Sequence, residues 1–350
     1  SLSLFGKEVL TFMANNIQYS KPFKTYDEQI NLLISRNVVI DDYEFAKSAL
    51  SSFSYYTLIN GYKNTFLSEA GTDSFIPNTN FKDLYTLHII DSNLNNIILK
   101  NILFAERFLK TRLAYLISKN YGVYTDPNDM SNCNPDDYLC RSNYRSGNGR
   151  NNILKSVKTS LTSSQANSSV VHYMQHKNHV PAWILATNIP FGLTIKWYDI
   201  LISSDKDIIC NEFISDNSLT IEKKKEFLKV SLSLLREYRN KIAHGHRAFS
   251  VQGLPVLPKM QLLTLSHGII TESEYNANIG KSDLFAVILS CFILINDRYV
   301  LANFYSDLQY TLEPYIDSNM HGQSILEILG LPVDILSRLK KLYLLLFQKV

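Results

Sequence analysis

Arg236-Glu237-Tyr238-Arg239-Asn240-Lys241-Ile242-Ala243-His244-Gly245-His246-Arg247 closes a long, lysine-rich helical segment. Leu228, Leu232 and Leu235 lead into it at helical spacing, and Ile242 continues their stripe. The step between Leu235 and Ile242 falls on Arg239, so an arginine stands where the pattern calls for a core residue. A guanidinium in that place needs a carboxylate or another acceptor. Glu106 is the candidate. It lies at the margin of a second long apolar stripe, between Ile102, Leu109 and Leu113. Helical stripes of this kind recur along the chain with few strand signals and no internal repeat, so the fold class is mainly α. The pair would serve equally as a plain clamp between two helices.

Working outward from Arg239, Asn240 and His244 are four residues apart and share a helix face, with Arg236 one turn earlier. A cation, an amide and a proton carrier therefore line one side. A lone histidine at a helix end often only caps the dipole. The same set also suits RNA cleavage by the RNA's own 2′-hydroxyl. His244 would act as general base or acid, a contribution of about 10²–10⁴-fold. Arg239 would hold the charge that builds on phosphorus. This chemistry needs no metal or other cofactor, and the 2′-hydroxyl confines it to RNA. One imidazole does not readily serve both ends of the reaction, so two copies of the motif in a homodimer are expected.

The remaining chain fits a helical protein of 350 residues, with 45% hydrophobic and 19% charged residues. Residues 1–20 read as a short helix and a polar link. Thr25 and Glu28 form a capping box ahead of Ile30, Leu33 and Ile34. Asp41-Asp42 opens a helix that runs toward Asn60-Gly61. Phe81 to Tyr121 is the longest periodic segment, its stripe formed by Ile98, Ile102, Ala105, Leu109, Leu113 and Leu116, with Gly122 as its cap. Residues 122–152 are rich in Asn, Asp, Ser and Gly and read as a long loop. Residues 181–203 resume as a helix pair broken near Pro190, and 220–244, 282–312 and 332–348 are helical. The expected division is an N-terminal helical region (1–80), a core (81–250) with a basic insertion at about 122–180, and a C-terminal helical region (251–350).

Charge is unevenly placed. The net charge is only +3, yet Tyr138 to Tyr198 contains no Asp or Glu. That stretch carries Arg141, Arg145, Arg150, Lys155, Lys158, Lys177 and Lys196, a positive field suited to a polyanion. Lys223 and Lys224 add to the candidate RNA contacts. His172, His176 and His179 have no carboxylate or thiolate close in sequence, and with Lys177 among them they read as a phosphate-facing surface rather than a metal site. Pro181-Ala182-Trp183 reads as core packing, with base stacking by Trp183 as the alternative. Cys133, Cys140, Cys210 and Cys291 show no CxxC spacing, which fits a reducing cytoplasm, and Cys291 sits in an apolar run as a core residue. The run Leu284 to Ile295 is too short to span a bilayer.

Several blocks together resemble a known family. They are Lys21-Pro22-Phe23 with Thr25-Tyr26-Asp27-Glu28-Gln29-Ile30, Arg36, Ile40-Asp41-Asp42, and Tyr55-Tyr56 with Gly61-Tyr62. Next come Phe81-Lys82-Asp83-Leu84-Tyr85 and Asp91, then Glu106 with Arg112-Leu113-Ala114-Tyr115 and Tyr121-Gly122. His172-Tyr173, Pro181-Ala182-Trp183-Ile184 with Phe191-Gly192, and Arg239-Asn240, Ala243-His244 and Arg247 complete the series. In this order the chain resembles the Abi-like abortive-infection proteins (the AbiD/AbiF group) of the HEPN superfamily over residues 20–247. The resemblance implies an all-helical core, endoribonuclease activity, a role in phage defence and toxin-like restraint by a small non-coding RNA. It assigns catalysis to Arg239 and His244, a companion role to Asn240, and support to Glu106, Arg247 and Arg236. Ile242 and Gly245 depart from the family's Cys and second His, so His246 inherits no role. Ala248-Phe249-Ser250 replaces the usual aromatic-basic continuation. Two other functions are compatible with the residues: an RNA-binding protein that sequesters without cleaving, and a helical interaction scaffold.

Overall fold

The computed structural model describes residues 21–347 apart from Ala70 and Ser164, so the short helix expected within residues 1–20 lies outside the described residues. The fold is mainly all-α: sixteen helices and two short two-stranded ribbons are formed among the described residues. Two compact units divide within the longest helix, after His88.

The first unit contains α1 (Tyr26–Ser35), β1 (Val38–Val39), α2 (Tyr43–Phe53), α3 (Tyr55–Leu58) and β2 (Thr79–Asn80). The expected capping box starts α1: Thr25 Oγ1 accepts from the Glu28 amide at 3.2 Å, and Glu28 Oε2 accepts from the Thr25 amide at 2.7 Å. Asp42 caps α2 by accepting from the Phe45 amide at 2.9 Å. That helix stops at Phe53, short of the expected Asn60-Gly61, because the Ser54 side chain accepts from Thr57 N–H and starts a separate turn. β1 and β2 pair in parallel, Val38 opposite Thr79. Ile30, Leu33, Leu50, Leu58, Phe66, Phe75 and Leu84 form the core here.

α4 (Phe81–Tyr121) has the bounds the periodicity predicts, and its whole stripe from Ile98 to Leu116 is buried. Gly122 follows at φ +85°, a conformation that favours glycine. The segment after it is irregular as far as Gly149, yet far from solvent-swept: Asn132, Asp137, Tyr138 and Leu139 are fully buried. The expected insertion then becomes helical in α5 (Arg150–Thr162) and α6 (Ser168–His176). α7 (Ala182–Asn188) and α8 (Phe191–Asp199) form the helix pair broken at Pro190. Next come α9 (Ser203–Phe213) and α10 (Ile221–Ala243), which pack together.

Past the motif, α11 (Lys259–Leu265) and α12 (Glu272–Asn276) lead to α13 (Leu284–Leu294), whose eleven residues are all buried, Cys291 among them. α13 packs on α10, so the apolar run is the centre of the second unit. α14 (Arg298–Leu312) packs on α16 (Ile335–Phe347), with the β3–β4 hairpin (Asn319–Met320 and Gln323–Ser324) and α15 (Ile325–Ile328) between them in sequence. No helix among the described residues is long and apolar enough to cross a membrane.

Candidate active site

The last turns of α10 carry the motif. Leu228, Leu232 and Leu235 are fully buried as expected, but the stripe then passes to Tyr238, not Arg239. A helix turns about 100° per residue, so the third and fourth residues after Leu235 flank the same line. The neutral phenol takes the inner side, where its hydroxyl donates to Ala248 O at 3.4 Å. Burial pushes that hydroxyl's pKa well above its ordinary value, so it stays protonated. Arg239 sits at the margin with a third of its side chain exposed, which spares a charge from full desolvation.

The expected partner is nevertheless in place. Arg239 Nη2 lies 3.9 Å from Glu106 Oε2, and Arg239 Nη1 donates to Asn240 Oδ1 at 3.3 Å. Glu106 is 8% exposed. Its Oε1 is held by Lys110 Nζ at 2.8 Å, whereas Oε2 accepts no hydrogen bond from the described residues. Arg236 lies one turn before Asn240, paired with Glu237, and its side chain lies over Gly192 of α8. A Cβ at Gly192 would come within 3.3 Å of the Arg236 side chain, so glycine permits that approach.

His244 is the exposed C-cap residue of α10. Gly245 follows at φ +83°; its amide donates to Ile242 O at 3.0 Å, and the His246 amide donates to Lys241 O at 3.2 Å. These two bonds form a Schellman closure. Gly245 thus ends the helix immediately after His244. The chain beyond is tied down by Asp91 of α4, whose carboxylate accepts from the Ala248 amide at 2.7 Å. Arg247 precedes that anchor and is half-buried. Asp91 and Tyr238 position this segment. The sequence presented Asp91 only as one residue of a family block, and Tyr238 only as a neighbour of Arg239.

The basic residues divide. Arg141, Arg145, Lys155, Lys177 and Lys223 are exposed, and Arg150 is half-buried with Nη1 3.4 Å from Tyr144 O. Two expected RNA contacts are structural instead. Lys158 is 0% exposed, with Nζ 2.7 Å from Asp137 Oδ2 and 2.7 Å from Asp129 O. Both acids precede the acid-free stretch, and the fold carries them back against it. Lys224 is buried and donates to Asn211 Oδ1 at 3.2 Å on α9. Elsewhere the fold gathers Arg145 with Lys206, Lys225 and Lys229, and with Asp199 and Glu226, around a recess of about 440 Å³. Burial depresses the Lys206 ammonium, and the Arg145 charge adds to the effect. No periodic signal joined these cations, which come from one loop and two helices.

Trp183 also departs from expectation. Ala182 is buried, but Trp183 is 48% exposed and is not a core residue. It faces an open groove of about 640 Å³ between α4 and α7, whose α4 wall includes Glu106. His172 and His176 are exposed, their ring centroids 5.0 Å apart on α6. Cys133 and Cys140 are unpaired thiols.

The model of the Abi-like protein family matches residues 48–250, more than half of the chain, and the chain belongs to that family. The matched range contains Glu106, Trp183, Arg239 and His244, and begins after the blocks between Lys21 and Asp42. No curated protein and no solved structure matches the chain. Membership indicates a role in abortive-infection defence against phage.

Proposed function

We propose that the chain is an endoribonuclease of the HEPN type that acts in the cytoplasm against phage, as a homodimer restrained by a small non-coding RNA. The observation that carries this reading is the end of α10. Arg239 is held at the core margin beside Glu106, and five residues later His244 stands in solvent with no side-chain partner among the described residues.

In this mechanism the His244 imidazole takes the proton from a 2′-hydroxyl or returns one to the leaving 5′-oxygen. The Arg239 guanidinium meets the charge on the phosphorus oxygens. Asn240, bonded to Arg239, fixes the direction of the guanidinium. A second protomer supplies the second imidazole, and no metal enters the scheme. Arg141, Arg145, Arg150, Lys155, Lys177 and Lys223 hold the RNA backbone.

The test compares wild type with His244→Ala on single-stranded RNA and on the same strand carrying 2′-deoxyriboses, with chelator present. Wild type should cut only the RNA, and the variant should be slower by about 10²–10⁴-fold. Equal rates for the two proteins would refute the catalytic assignment. Growth arrest that persists in Arg239→Ala and His244→Ala cells would favour sequestration without cleavage.

A further inference from the structure

Arg145, Lys206, Lys225 and Lys229 meet around one recess of about 440 Å³, a volume in the range of small-ligand sites. All four belong to the second unit. The Arg145 amide donates to Ile200 O at 3.0 Å, and Tyr144 bridges Leu201, so the loop before α5 is pinned to the junction of α8 and α9. Lys206 Nζ donates to Asp199 O, and Lys225 Nζ donates to Ser203 Oγ at 3.3 Å. Both acceptors belong to residues of the lining, so the two ammonium groups are held at the recess.

Opposite charge is present but mostly engaged. Asp207 Oδ1 takes Lys225 Nζ at 2.7 Å, and Glu226 Oε2 accepts from Gln261 Nε2 of α11 at 2.6 Å. Asp199 is the remaining carboxylate of the lining. The Arg145 guanidinium and the Lys229 ammonium have neither a hydrogen bond nor an ion pair among the described residues. The cations are close enough to oppose one another. Burial depresses the Lys206 ammonium, Arg145 depresses it further, and Lys229 and Lys225 add to this against Asp199. An anion seated among them relieves that repulsion.

The shape narrows the choice of anion. A backbone diester carries one charge, and a strand in transit is met by a basic groove that tracks it. A phosphate monoester carries about −1.5 to −2 at neutral pH. It is also an end group, which a recess can enclose. At roughly 1.5 Å per residue, Lys229 stands about 22 Å along α10 from His244, so the recess is separate from the candidate active site.

We propose that this recess is a subsite for a phosphate monoester, carried by the 5′ end of an RNA strand or by a free nucleotide. Arg145 and Lys229 supply the unpaired charges. Lys206 adds a donor, since an ammonium has protons beyond the one given to Asp199. The RNA source rests on the reading that the chain handles RNA, and the nucleotide source does not.

A short RNA, 2′-O-methylated against cleavage and labelled at its 3′ end, is made with a 5′-phosphate and with a 5′-hydroxyl. Anisotropy gives the affinity of the full chain for each. Adenosine 5′-monophosphate is titrated separately by calorimetry. The phosphorylated strand should bind about tenfold more tightly, the worth of one charge-assisted contact. Lys229→Gln should erase that preference, and Arg145→Gln is the second variant. Both side chains are exposed, so neither replacement threatens the fold. Lys155→Ala, outside the recess, should weaken both strands alike.

A 5′-phosphate preference lost in Lys229→Gln supports the subsite with the RNA end as its source. Nucleotide binding lost in Lys229→Gln, with the two strands bound alike, supports it with the free nucleotide as its source. RNA binding with no 5′-phosphate preference and no nucleotide binding overturns the subsite and leaves the RNA reading standing. A preference or nucleotide affinity that survives both variants puts the phosphate elsewhere and also overturns the subsite. Nucleotide binding that Lys229→Gln removes, in a protein that neither binds nor cuts RNA, overturns the RNA reading and keeps the subsite. Binding of neither RNA nor nucleotide overturns both.

Discussion

Lys158 shows how much a single residue's meaning depends on what the fold places beside it. In sequence it is one cation among many. In the structure it is an enclosed ammonium facing Asp137 and the carbonyl of Asp129. Removing one member of such a pair strands the other charge, so Lys158→Met should destabilise the protein by about 3–5 kcal/mol, read from a thermal or urea transition. Lys155→Ala, three residues earlier and exposed, should leave stability within about 0.5 kcal/mol and weaken RNA binding instead. Gly245 makes a different residue-scale prediction. A methyl group there meets nothing within 4 Å, so Gly245→Ala is opposed only by its φ of +83°. It should cost about 1–2 kcal/mol and loosen the turn that presents His244, measured by melting and by amide exchange of residues 244–248.

At the scale of elements, the site depends on α4 and α10 being fixed at Ala248. The Asp91 carboxylate on α4 accepts from the Ala248 amide, and the Tyr238 hydroxyl on α10 donates to the Ala248 carbonyl. Tyr238→Phe should cost about 0.5–1.5 kcal/mol, and Asp91→Ala about 1.5–3 kcal/mol because a charged acceptor is lost. Chemical unfolding curves check both, and Tyr238→Phe should retain most cleavage activity. α4 itself was legible from its period, because one unbroken stripe runs along a helix of 41 residues. α2 was less legible: its early stop comes from a serine cap that periodicity does not encode.

For the whole molecule, the mechanism calls for a dimer, since each chain brings one His244. Light scattering of the active protein should give twice the chain mass, and a strict monomer that still cuts RNA would refute this. Acid should loosen the irregular segment between α4 and α5 through Asp129. The Ser131 hydroxyl, the amides of Asn134 and Cys133 and the Lys158 charge hold its carboxyl down to about 2. The folded pKa lies below the ordinary 3.8, so its contribution is complete above about pH 4 and is lost as pH falls through about 2. Asp129→Asn should remove that part of the acid transition, followed by circular dichroism across this window.

The sequence by itself determined the helical class, the bounds of α4 and α10 and the capping box at Thr25, and it singled out Glu106 as the candidate partner of Arg239. Each of these is written in local spacing, or in the need of a charge near a core for a partner of opposite sign. The tertiary structure alone decided that Tyr238 fills the core position beside Arg239, that Lys158 and Lys224 are buried, and that Trp183 faces a groove with Glu106 in its wall. Those outcomes depend on which distant side chains arrive at the same place, and a one-dimensional pattern carries no term for that.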